Sequence, residues 1–189
     1  MVDEAEKRIM EQEAKILAFG EISLVLREYE EIFSDFDPRP YSSRAMSVDF
    51  LDEARRALRD VDPKGFELKI LMPKVKRNPG KEELIINRLK EHSRKHHGML
   101  ENGRKWIMKQ GFYFISAGLI FMLLGAYILF YHSAIKSFFK EFLVVIFEPG
   151  GWFLFWEGLD LVIFKSKEIK GDLDFYRKLT RAKIFFSHY

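Results

Sequence analysis

The chain has 189 residues, 48% of them hydrophobic and 31% charged, with a net charge of +3. That length allows one compact domain plus a small second part. The absence of cysteine excludes disulfides and thiolate metal sites.

Neither the apolar nor the charged residues are evenly spread. Most of the 19 phenylalanines and all three tryptophans fall in or beside the stretch from Gly111 to Phe164. Residues 1–62 carry 9 Lys/Arg against 16 Asp/Glu, whereas residues 63–110 carry 13 against 5. An acidic distal part and a basic proximal part suit a domain standing on an anionic leaflet. The first residues are acidic and polar, without the basic start and apolar core of a signal peptide. The expectation is that nothing is cleaved and that the first apolar segment directs insertion.

In chain order, residues 4–17 favour a charged N-terminal helix. Ile22, Leu24 and Leu26 alternate with Glu21, Ser23 and Val25, which is a strand pattern. The prolines of Asp37-Pro38-Arg39-Pro40 enforce a loop. Ser47 can cap a helix whose apolar stripe is Phe50, Leu51, Ala54, Ala57 and Leu58. Phe66 to Met72 reads as a second strand, followed by a basic loop from Pro73 to Gly80. A long helix starts near Lys81, with Ile85, Leu89, His92, His96, Met99 and Trp106 near one face. Gly98 and Gly103 are possible hinges. Two strands make a poor sheet. A third comes from Arg44–Ser47, from Tyr29–Phe33 or from another chain.

Gly111 to Tyr131 is a run of 21 residues without a charge. About 20 apolar residues cross a bilayer as a helix, and the aromatic residues at both ends form an interface belt. Gly111, Gly118 and Gly125 recur every seven residues on one face, where another helix can approach closely. The second apolar segment, 142–164, contains Pro149-Gly150-Gly151 and is expected to break there. Basic residues crowd both flanks of the pair, while the connecting turn has only Lys136 and Lys140. Both termini are therefore expected in the cytoplasm.

The fold expected is an α+β cytoplasmic domain of β-α-β-α order over 1–105, joined to a two-helix transmembrane hairpin. The hairpin comprises a first helix at 106–132, an external turn at 133–141 and a broken second segment at 142–164. A basic cytoplasmic tail follows at 165–189.

Glu148, Glu157 and Asp160 are the sharpest chemical signal, because carboxylates in a membrane segment face protein or water and often have a role. A break at Pro149 would bring Glu148 and Glu157 together. His92 and His96, beside His97, share the i, i+4 spacing of a metal pair, but no third ligand is evident. The preferred reading is a basic helix face beside lipid headgroups, with Arg94 and Lys95. The loop residues Asp35, Asp37, Arg39, Tyr41 and Arg44 could bind a ligand, or could simply pair with one another. Lys74, Lys76, Arg77, Arg104, Lys105 and Lys109 suit anionic headgroups. The stretch Lys74–Asn78 lacks the aromatic residues of a nucleic-acid site. No phosphate loop, dinucleotide fingerprint, nucleophile elbow or zinc-protease motif is present. Neither a cofactor nor catalysis is expected.

Asp37-Pro38-Arg39-Pro40-Tyr41-Ser42-Ser43-Arg44 and the segment from Glu148 to Asp160 (EPGGWFLFWEGLD) resemble small prokaryotic integral membrane proteins of uncharacterised function. These have a cytoplasmic domain ahead of two membrane segments. The resemblance implies that architecture and no activity. The expected function is that of a membrane-anchored interaction or assembly protein, a homo-oligomer or part of a membrane complex. The alternatives are a small ion- or proton-conducting oligomer and a ligand sensor.

Overall fold

The computed structural model describes residues 22–59, 67–131 and 137–189. The chain forms two compact units. One comprises the residues up to His97 together with Asp174–Tyr189, and the other comprises Gly98–Leu173. The expected N-terminal helix lies outside the described residues.

The first unit is built on a three-stranded sheet: β1 (Ile22–Val25), β2 (Glu67–Met72) and β3 (Lys183–His188), in the spatial order β1-β2-β3. Both pairings are parallel, with Leu24 opposite Ile70 and Ile70 opposite Phe186. Alternation puts Leu68, Ile70, Met72, Ile184 and Phe186 on one face, where all are buried. α1 (Val48–Ala57) adds Phe50 and Ala54 to this core, and its Ser47 cap accepts a hydrogen bond from the Phe50 amide. The start of α2 (Pro79–Tyr131) adds Ile85 and Leu89, and α4 (Ser166–Arg181) adds Phe175, Tyr176 and Leu179. The Arg55 guanidinium lies 5.0 Å from the Phe175 ring centre, and the Lys178 ammonium donates to the Leu58 carbonyl, so α1 and α4 are neighbours.

The third strand therefore comes neither from Arg44–Ser47 nor from Tyr29–Phe33. Those segments pair in an isolated bridge, Phe33 with Met46, and Tyr29–Ile32 is a 3₁₀ turn. The stretch expected as a basic tail folds instead as α4 and β3. The reason is its apolar spacing: Leu173, Tyr176 and Leu179 form one helix stripe, and Ile184 and Phe186 alternate in a strand. All five side chains are buried.

The second unit is a helical hairpin. α2 continues through Gly98 and Gly103 without interruption, and an added side chain at either glycine would meet nothing within 4 Å. α3 spans Phe138–Asp160, so the segment expected as an external turn already becomes helical at Phe138. α3 is continuous through Pro149, contrary to the expected break. Proline removes one backbone donor, while Gly150 and Gly151 serve interhelical approach rather than a turn, since Gly151 is buried against α2. The irregularity lies further on, as a π-helical turn at Leu161–Lys165 ahead of α4. Two helices are long and apolar enough to cross a membrane, Pro79–Tyr131 and the run Phe138–Arg181. Only 11% of each apolar window is buried within the protein. A core helix of a soluble domain is mostly buried, so that pattern is not the one seen here.

Candidate functional site

The hairpin seam is made by glycine. A Cβ built on Gly118 would lie 2.6 Å from the Gly151 carbonyl oxygen and 2.6 Å from the Phe155 amide nitrogen. One built on Gly111 would lie 2.9 Å from the Gly158 oxygen, and one on Gly158 2.7 Å from the Gly111 oxygen. The two backbones thus touch at Gly111–Gly158 and at Gly118–Gly151, positions where only hydrogen fits. Gly125 is looser, with Phe147 Cβ at 3.6 Å. Gly151 and Gly158 are the residues that sequence reasoning missed on the facing helix. Their seven-residue spacing, matching that of Gly111 and Gly118, was the available signal.

These contacts fix the antiparallel register and hence the level of each acid. Counting from Gly118–Gly151, Glu148 stands level with Phe121, the central residue of the 21-residue uncharged run. Phe121 packs edge-on against Phe147 next to it, with ring centres 5.3 Å apart. By the same count Glu157 is level with Phe112 and Asp160 with Lys109, near the end of that run. Glu148 is exposed on the outside of the hairpin and makes no hydrogen bond or ion pair to another described residue. Because α3 is unbroken, Glu148 and Glu157 point to opposite sides, nine residues and about 900° of rotation apart. The three acids are not brought together.

The other candidates lie in the first unit, apart from three of the basic residues. The Asp35–Arg44 loop closes on itself. Arg39 donates to both oxygens of Asp37 (Nε 2.9 Å, Nη2 2.7 Å), and Asp37 also accepts from the Ala45 amide at 2.6 Å. The Arg39 guanidinium, then that amide, hold the Asp37 carboxyl well below the usual carboxylate range. Tyr41 donates to Glu30, and burial followed by this carboxylate pushes the phenol up to about 12. Arg44 donates to the Ser34 carbonyl at 3.1 Å. Asp35 lines a shallow cavity of about 470 Å³ beyond the carboxyl end of β1, with Arg27, Glu31, Ser47, Asp49 and Lys76. The loop's charges are thus largely spent on holding the loop.

Of the basic residues expected at headgroups, Arg77 is structural. It donates to both oxygens of Glu82 (2.8 and 2.9 Å) and to the Phe186 carbonyl at 3.1 Å, tying β3 to the start of α2. Tyr29 completes this cluster: its hydroxyl donates to Glu82 at 3.0 Å and accepts from the Asn78 amide at 2.7 Å. The Arg77 guanidinium, against the opposing effect of burial, keeps the Glu82 carboxyl below its ordinary value. The signal for it was Asn78-Pro79, a cap followed by a proline in the first helical position. Asn78 Oδ1 accepts from the Lys81 amide at 3.2 Å. Lys76 pairs with Glu28, and Lys74 has no side-chain partner among the described residues. In the second unit Lys105 pairs with Glu101 at 2.7 Å, Arg104 donates to the Ser166 hydroxyl at 3.1 Å, and the Lys109 ammonium lies over the Tyr113 ring.

The His92 and His96 rings lie against each other at a tilt of 34°, with centres 4.2 Å apart, and the His96 ring stacks on Tyr176 at 5.2 Å. Burial, then His96, Arg88 and Lys95, push the His92 imidazole down to about 4. Its Nε2 is buried without a hydrogen-bond partner among the described residues. Among the described residues no group of three or more His, Cys, Asp or Glu could hold a metal ion. Both rings are half-buried, packed against each other and against Tyr176.

Comparisons with protein-family models, with curated proteins and with solved structures found no match. They add nothing to the resemblance carried by the two peptides.

Proposed function

We propose that this chain is an integral membrane protein whose hairpin anchors a parallel-sheet domain at the cytoplasmic face, where it serves assembly with other protein rather than catalysis. One observation carries the reading. The helices present Phe112, Ile120, Leu123, Phe130, Phe139, Val145 and Phe153 outward, all exposed, while the seam between them is closed by glycine. Water does not tolerate such an apolar exterior, whereas lipid requires it.

The topology of the first unit supports the sidedness. β2 precedes the hairpin, β3 follows it, and the two pair along six residues. Both flanks of the hairpin then lie on one side of the membrane, which favours a double crossing. The basic flanks make that side the cytoplasm, and anionic headgroups are the partners for Lys74 and the basic residues at 104–109.

Alkaline washing of isolated membranes tests the reading. The chain is expected to stay in the membrane pellet and, in lipid-derived particles, to run as an assembly larger than its own 22.4 kDa. A detergent-free, water-soluble monomer would contradict it.

A second reading, an ion- or proton-conducting oligomer, is favoured by the exposed Glu148 alone. It requires flux in proteoliposomes that Glu148→Gln abolishes. A parent chain that conducts nothing would end it.

A further inference from the structure

We propose that the face of α3 centred on Glu148 is the contact surface for a second copy of this chain. The proposal rests on the membrane reading above and adds which face is used and what holds it.

Glu148 is level with the middle of the uncharged run, about ten residues or ~15 Å from either end, and it is exposed. A carboxyl at that depth against lipid is costly, and such groups face protein or water. Among the described residues the hairpin offers it no partner: the seam, at Gly151 and Gly158, lies about 60–80° around α3 from Glu148 and is closed by backbone contact, and the Glu148 side chain remains exposed. Its neighbours on the same face are Glu141, Val145 and Trp152, all exposed. The outer face of α2 carries no charge across the run, so the anomaly is confined to α3.

A second copy inserts with the same topology, and a two-fold axis along the membrane normal brings equal depths together. Glu148 then meets Glu148, and two carboxyl groups are complementary as one hydrogen-bond donor and one acceptor. The Trp152 indole, one turn away, supplies a further donor on the same face. Interhelical hydrogen bonds of this kind hold membrane helices together. A wholly apolar partner surface at this depth would leave the carboxyl unsatisfied.

The chain has no cysteine, so oxidative cross-linking of single-cysteine variants in native membranes is clean. Val145→Cys and Trp152→Cys are expected to yield covalent dimer, and Ile120→Cys, on the far side of α2, only background. Adding Glu148→Leu to Val145→Cys should lower the dimer yield about fivefold, the scale of one interhelical polar contact. Glu148→Gln, which both donates and accepts, should retain it. Dimer yields at 145 and 152 no higher than at 120, or a yield indifferent to Glu148→Leu, would overturn the proposal while the chain still fractionates with membrane. Appearance of the chain in the alkaline wash would remove the membrane reading and this proposal with it.

Discussion

The glycines of the hairpin are not equivalent, and single substitutions separate them. Gly118→Ala drives a methyl group into the Gly151 and Phe155 backbone, neither of which can swing away. Overpacking of this kind costs about 1–3 kcal/mol, read as a lower melting temperature of the full chain in detergent. Gly125→Ala, with its neighbours at ordinary contact distance, lacks that clash and should melt well above Gly118→Ala. Gly103→Ala meets nothing and should stabilise the helix by about 0.5–1 kcal/mol. In the first unit, Tyr29→Phe removes the acceptor of the Asn78 amide and a donor to Glu82. A loss of roughly 1–2 kcal/mol follows. His92 carries a pH signature. Unfolded, it titrates near 6.5; folded, near 4. Between these values only the unfolded chain binds the proton, so its contribution is complete above pH 6.5 and is lost as pH falls towards 4. The melting temperature of His92→Gln should therefore fall less than that of the parent between pH 7 and pH 4.5. An identical fall in both would contradict the assignment.

At the scale of elements, strong local signals gave the right elements. Ser47 with its apolar stripe marked α1, and the alternation of Leu68, Ile70 and Met72 marked β2. Two elements misled. Pro149-Gly150-Gly151 combines residues that usually break helices, yet the glycines sit on the face where another helix must touch. Sequence spacing along one segment does not reveal which face that is. β3 was hidden because its buried apolar residues alternate only at Ile184 and Phe186, and a single residue, Ala182, separates it from α4. Its role is nonetheless structural: Phe186 packs edge-on against Tyr29 at 5.7 Å and its carbonyl accepts from Arg77. Removing residues 183–189 should abolish the protease resistance of the sheet domain in the full-length protein. Survival of that resistance would deny β3 its place in the core.

For the whole molecule, the separation into a polar sheet domain and an apolar hairpin was readable from charge distribution alone. What was not readable is that the domain is discontinuous, because strand partners distant in sequence leave no periodic trace. The central claim is that the apolar hairpin crosses a membrane twice, with the sheet domain on the inner side. Labelling of single-cysteine variants with a membrane-impermeant thiol reagent tests it directly, since no native cysteine interferes. On intact cells, Ser137→Cys at the start of α3 should react, while Ser42→Cys and Ser187→Cys should react only after the cells are opened. Labelling of position 137 from the same side as positions 42 and 187 would contradict the double crossing.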